Sequence, residues 1–315
     1  MNWEVGLFST PEPLEYLRLS PPFRNRDTMT SNYLNHVRSL EELHEIIERD
    51  HTAGSLEAIE RLAQDVQAVA EKIAEDTESM VAHVYSEAEV ESAKLTAKVV
   101  VSVSKISSNA TKAAADLIAN VQPGDNGKDA AIAAKKLLKD ADKAATQLNQ
   151  HAENAIRKVA ERAKAAAKNV QQVADEAIRD LSDAGKMATD SVARASREAL
   201  TSFSSSEKGD LQKGETLNQA REAAAHVIKV LAQATDRVNQ AAESAAAELQ
   251  AATDEAVASV HQAAEEATAT IVVAVEAANK TIMEEAEKSV TEIAGDDKGV
   301  LFDLDSLKKR WRSTG

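Results

Sequence analysis

The sequence predicts an all-α protein: a long antiparallel three-helix rod or coiled coil with eleven-residue (hendecad) repeats, plus non-repeat N- and C-terminal segments. Three observations carry this. Large aliphatic residues recur at every eleventh position in three separate registers. Each register stops at a cluster of helix breakers. The composition is rich in Ala, Glu, Lys, Gln and Asp, which suit long helices, and only 3% of residues are aromatic. A globular core of 315 residues needs bulkier side chains to reach native packing density. Alanine buries little area, so apolar burial must run along helix seams.

Residues 1–54 read as an N-terminal arm. Pro11, Pro13, Pro21 and Pro22 remove backbone donors and disfavour helix before them, and Trp3, Phe8, Tyr16, Phe23 and Tyr33 lie among them. A short helix is expected around Ser39–Arg49, where Ser39 and Glu42 have the spacing of a capping box. The first long helix, 55–121, carries Leu62, Ile73, Val84, Leu95, Ile106 and Leu117 at eleven-residue intervals. A turn at 122–128 holds Pro123, Gly124 and Gly127, strong breakers in so short a stretch.

The second helix, 129–203, repeats the pattern with Leu137, Leu148, Val159, Val170, Leu181, Val192 and Phe203, and a turn follows at 204–214. The third, 215–294, carries Val227, Val238, Leu249, Val260, Ile271, Ile282 and Ile293. Eleven residues in three turns give a nearly straight apolar stripe with slight right-handed drift. Seven residues after the large one comes alanine, at 144, 155, 166, 177, 188 and 199 in the second helix and at 234, 245, 256, 267 and 278 in the third. Small residues at fixed seam positions let helices approach closely. Each helix would be on the order of 100–120 Å long. Short Gly-containing connections favour reversal and an up-down-up bundle; the other arrangement is an open one in which each helix pairs with other chains.

The net charge of −15 argues against nonspecific nucleic-acid binding and against simple docking on anionic membranes. The charge is unevenly spread. The second helix has a basic first half: Lys135, Lys136, Lys139, Lys143, Arg157, Lys158, Arg162, Lys164 and Lys168. The third has no Lys or Arg between Arg237 and Lys280, but carries Glu243, Glu248, Asp254, Glu255, Glu265, Glu266 and Glu276. Antiparallel neighbours of opposite charge would pair within the chain, at roughly 0.2–1 kcal/mol per exposed pair. The simpler reading is two solvated faces of different charge.

Two runs break the narrow stripe: Val99, Val100, Val101 and Val103 in the first helix, and Ile271, Val272, Val273 and Val275 in the third. Consecutive apolar residues point all round a helix, so one seam cannot bury them. Both runs lie about two repeats before the end of their helix. In an up-down-up bundle they share one height and form an apolar band, the mark of a self-association surface. Cover from within the same chain is the competing reading.

No enzymatic constellation emerges. Glu41-x-x-His44 and Glu48-x-x-His51 have metal-like spacing, but both sit on one short segment without further carboxylates, and a polar helix face accounts for them. His83, His151, His226 and His261 are scattered singly, with no nucleophile at a diagnostic spacing and no phosphate-cradling loop. Gly124-Asp125, Gly209-Asp210 and Gly295-Asp296 recur where helices end, which suits C-capping better than calcium binding. No catalytic, cofactor-binding or metal residue is therefore assigned. The absence of Cys removes disulfides and thiolate chemistry, and suits a reducing compartment. There is no Sec-type leader and no apolar run long enough to span a membrane. The expected location is the cytoplasm.

The C-terminal segment, 295–315, differs from the alanine-rich repeats. Phe302, Leu304, Leu307 and Trp311, with Trp3, Phe8, Tyr16 and Phe23 of the arm, hold most of the anchor-type side chains, the kind that dominate interfaces. They are read as docking tails for the next subunit or a protein partner, or as caps on their own bundle.

The stretch Ala163-Lys164-Ala165-Ala166-Ala167-Lys168-Asn169-Val170 resembles late-embryogenesis-abundant desiccation proteins. The overall composition is similar to that of phasins, which coat polyester granules, and right-handed coiled-coil rods share the period. The resemblance covers about 55–295 as a pattern, with no signature motif, and assigns no family. The expected function is that of an acidic, non-enzymatic structural protein, an elongated rod that assembles with its own copies into a filament, lattice or scaffold. The alternatives are an amphipathic coat on a lipid or polymer surface and a desiccation protectant. A single large aliphatic in eleven residues inserts little area into an interface, and so regular a stripe sits poorly with simple disorder.

Overall fold

A computed structural model describes residues 53–119, 125–207 and 213–294. All of them are α-helical: α1 spans Ala53–Ala119, α2 Asp125–Glu207 and α3 Lys213–Ala294. Helix α2 starts before and ends after the 129–203 expected of it, because Asp125, Asn126 and Gly127, read as turn, lie within its first turn. Asp and Asn suit a helix start, where free N–H groups and the positive dipole end favour them.

The three helices pack against each other in two compact units. One holds 53–72, 178–207 and 213–250; the other holds 73–119, 125–177 and 251–294. In the first unit the core is built from Leu62 and Val69 of α1, Leu181, Ala188 and Val192 of α2, and Val227, Leu231, Val238 and Leu249 of α3, all nearly or fully buried. In the second unit the same role falls to Ile73, Val84, Leu95, Ile106 and Leu117 of α1, Leu137, Leu148, Val159 and Val170 of α2, and Val260, Ile271, Ile282 and Ile293 of α3. Every residue of the three eleven-residue series whose burial is described is therefore buried.

The small residues beside them are less uniform than the spacing suggests. Ala155, Ala177 and Ala188 are buried, but Ala144, Ala166 and Ala199 are only half-buried. In α2 the tighter row stands four residues after the large one: Ala141, Ala152, Ala163, Ala174 and Gly185. Positions four and seven residues on lie on the same face as the large side chain, one to either side of it. At Gly185 the row is at its tightest: a Cβ there would stand 2.7 Å from Cγ2 of Val66 on α1.

Two buried threonines in the seam satisfy themselves locally. The hydroxyls of Thr77 and Thr235, both buried, donate to the carbonyls of Ile73 and Leu231 one turn back, at 2.6 and 3.1 Å. A buried hydroxyl with its own partner avoids the cost of an unmade hydrogen bond.

Two predictions test this packing. Gly185→Ala lowers thermal stability because the stiff, β-branched Val66 cannot yield. In a Val66→Ala background the same change raises it by about 0.5–1 kcal/mol, the gain of alanine over glycine in a helix. Ile106→Ala costs about 2–5 kcal/mol by emptying a fully buried site, whereas Ile118→Ala, at a position 57% exposed, stays within about 0.5 kcal/mol in chemical denaturation.

Candidate assembly surface

In the second unit, α1 and α3 run parallel in a fixed register. The imidazole of His261 on α3 lies between two carboxylates one turn apart on α1, with Nε2 3.5 Å from Glu87 and Nδ1 3.3 Å from Glu91. Lys94 Nζ joins Glu91 at 2.7 Å. Further along, Asn109 Nδ2 donates to Asn279 Oδ1 at 3.4 Å. Glu91 and His261 are separated by 170 positions, as are Asn109 and Asn279, so the register does not slip between these contacts. Val101 lies ten residues after Glu91 and Ile271 ten residues after His261. The two valine-rich runs therefore stand level.

Their side chains divide between inside and outside. Val99 and Ile271 are buried in the unit's core and cannot take part in a surface contact. Val103 and Val275 are half-buried. Val100, Val101 and Val273 are 63%, 56% and 65% exposed, and Val272 is at the margin with 36%. Four valines from two parallel helices thus reach solvent at one height. The eight aromatic and leucine positions of the tails, Trp3, Phe8, Tyr16, Phe23, Phe302, Leu304, Leu307 and Trp311, lie outside the described residues, as do Glu41, His44, Glu48 and His51.

Helix α2 runs opposite to α3 in this unit. Lys136 Nζ donates to Glu285 Oε2 at 2.9 Å, and an open groove of about 750 Å³ further along is walled by Arg157, Lys158 and Arg162 of α2 and by Ala263, Glu266 and Thr270 of α3. The expected charge pairing within the chain is sparse. Among the described residues, Lys136–Glu285 is the ion pair that joins the basic half of α2 to α3. The remaining lysines and arginines of that half are exposed, and water screens such pairs enough that side-chain entropy opposes them.

The hydrogen bond from Lys136 to Glu285 holds the ammonium's pKa above its ordinary 10.5; desolvation opposes this in part, and the charges of Glu285, Asp140 and Glu292 add to it. Lys94 is raised likewise by its hydrogen bond to Glu91 and then by that carboxylate's charge. The clasp of His261 by Glu87 and Glu91 was not foreseen in the sequence. Two carboxylates one turn apart are common on helices, and only the 170-residue register identifies the histidine that meets them.

Among the described residues, no helix is long and apolar enough to cross a membrane, and no cluster of three or more His, Cys, Asp or Glu side chains is placed to hold a metal. No protein family, curated protein or solved structure matches the chain.

The Lys136–Glu285 bridge gives a pH prediction with a definite sign. A lysine whose folded pKa is raised contributes stability that is complete below the unfolded value of 10.5 and is lost as pH rises through the higher folded value. The difference in melting temperature between the wild type and Lys136→Met is thus expected to be constant from neutral pH until the unfolded value of 10.5 is approached, and to shrink as pH rises through the higher folded value; thermal melts across that range check it.

Proposed function

We propose that the chain is a non-enzymatic structural protein, an elongated coiled coil of hendecad helices that assembles with its own copies into a filament, lattice or scaffold. The observation that carries this reading is the level group of exposed valines, Val100, Val101, Val272 and Val273, on two parallel helices. A parallel pair presenting apolar side chains at one height offers a compact contact that a second copy can bury. Two further features support a structural role. The regular burial of one large aliphatic in eleven residues suits stiff, nearly straight helices, and the grooves are lined by alanines and surface charges, not by convergent groups of the kind that perform chemistry.

A coat on a lipid or polymer surface fits less well. Large apolar side chains reach the surface at scattered positions such as Leu56, Ile132 and Met187, and interfacial binding grows with continuous inserted area. The aromatic tails are assigned to docking, onto a neighbouring subunit or a separate protein partner. A cysteine-free chain is suited to the reducing cytoplasm.

The test uses Val101→Glu with Val273→Glu, both at well-exposed positions. Light scattering and negative-stain electron microscopy of the wild type should show particles much larger than one chain. The variant should disperse to single chains, its association weakened by about 2–4 kcal/mol from lost valine burial and the desolvation of glutamate, with unchanged helical circular dichroism. Assemblies that persist in the variant, or a variant that loses its helicity, would contradict this reading.

A further inference from the structure

The second unit leaves two large aliphatics uncovered at the end where α1 and α3 stop and α2 begins. Ile118 of α1 and Leu138 of α2 are 57% and 41% exposed. Each follows a buried core residue by one, Leu117 and Leu137, and so points about 100° away from the core seam. The side to which they point follows from the contacts of each helix with α3. On α1, the residues that meet α3 come three or seven after the large one: Glu87 and Glu91 after Val84, and Asn109 after Ile106. On α2, Lys136, which meets Glu285 of α3, comes one before Leu137. A residue one after the large one leaves the helix on the opposite side from these. Ile118 therefore turns toward α2, and Leu138 toward α1.

They also stand close in height. The offset of 170 between α1 and α3 sets Ile118 level with Lys288 of α3, and the Lys136–Glu285 bridge sets Lys288 level with Ala133 of α2. Leu138 lies five residues from there, about 8 Å along the axis. The same sides of the two helices carry Ala114, Ala134 and Ala141, all buried. The result is a short groove with an alanine floor and large aliphatic rims. The chain that follows α3 begins at this end. Ala294 closes α3 six residues past the level of Ile118, about 9 Å along the axis. Extended, residues 295–299 span about 16–18 Å, enough to pass round a bundle whose helices lie about 8–10 Å apart. The next stretch carries Val300, Leu304, Leu307 and Trp311 at the spacing of one helix face.

We propose that segment 300–311 of the same chain docks in this groove, with Leu304, Leu307 and Trp311 against Ile118 and Leu138. Two features favour the chain's own segment over a neighbour's. A tether as short as 295–299 holds the segment near the groove at an effective concentration of about a millimolar, which a separate copy does not reach in dilute solution. The groove and the start of the tether also share one end of one unit, so no helix has to move. This goes beyond the self-association of the chain and does not depend on it. Held here, the segment reaches a neighbouring subunit only after it lets go, so the groove competes with assembly through the same side chains. Denaturant releases so small a contact before the helices unfold, and Ile118→Ala therefore still leaves the unfolding midpoint in place.

The test reads the fluorescence of Trp311 in the full chain carrying Trp3→Phe, which leaves a single indole. Its emission should be blue-shifted from that of the denatured chain and weakly quenched by acrylamide, with the same values over about a hundredfold range of protein concentration. Ile118→Glu/Leu138→Glu on the groove side and Leu304→Glu/Leu307→Glu on the segment side should each move the emission to the denatured position and restore quenching, while the cooperative melt of the helices is retained. Should the groove variant fail to fold, the segment variant, which alters none of the three helices, decides alone. Emission already at the denatured position in the Trp3→Phe chain overturns the docking. So do variants that leave the emission unchanged, which would place Trp311 against some other surface, and a blue shift that fades on dilution, which would assign the groove to the segment of another copy.

Discussion

Alanine fills about as many of the buried positions in these helices as all the larger apolar residues together. Alanine therefore sets the distance between helices, and that distance decides what else the structure can contain. Bulky residues recur at one position in three turns, filled by Leu62, Val159, Val260 and their counterparts eleven residues on, and α1 and α3 bury a few more between them, such as Val69, Met80 and Leu231. Where Gly185 of α2 faces Val66 of α1, even a methyl would be crowded. Buried polarity follows the same constraint. Threonine is admitted because its hydroxyl reaches back to its own helix, as at Thr77 and Thr235, and asks nothing of a neighbour.

A seam so narrow leaves most of each helix outside, so the character of the surface rests on few residues. The valine runs depart from the repeat, and only Val99 and Ile271 find places in the core. Their neighbours cannot follow, since a residue one step along a helix turns about 100° away. Four valines are thereby placed in water.

Much of this was legible in the sequence. The helices were readable because large residues at 62, 73 and 84 have no other economical explanation than one helix face, and because Pro123 and the nearby glycines interrupt the pattern. The level placement of the valine runs followed from counting back from the helix ends. What could not be read depends on which neighbour lies on which side. Gly185 looks like a weak point in a helix until Val66 stands against it. His261 looks like a lone histidine until the 170-residue register brings Glu87 and Glu91 to it. The opposite charges of α2 and α3 suggested pairing within the chain, and the helices do lie side by side, but among the described residues the basic half of α2 reaches α3 through the Lys136–Glu285 bridge while its other cations are exposed. Sequence supplies sign and spacing; it does not supply the direction in which a long side chain leaves the backbone.

The central claim is that burial along these helices repeats every eleven residues and not every seven. The chain has no cysteine, so single cysteines introduced one at a time from Val159 to Leu181 can be read by the rate of thiol alkylation without background. The account predicts slow reaction at 159, 170 and 181 and at the flanking positions 163, 174 and 177, with fast reaction at 180 and intermediate reaction at 173. Protection at 159, 166, 173 and 180, the spacing of a heptad seam, or uniform reactivity along the stretch, would contradict it.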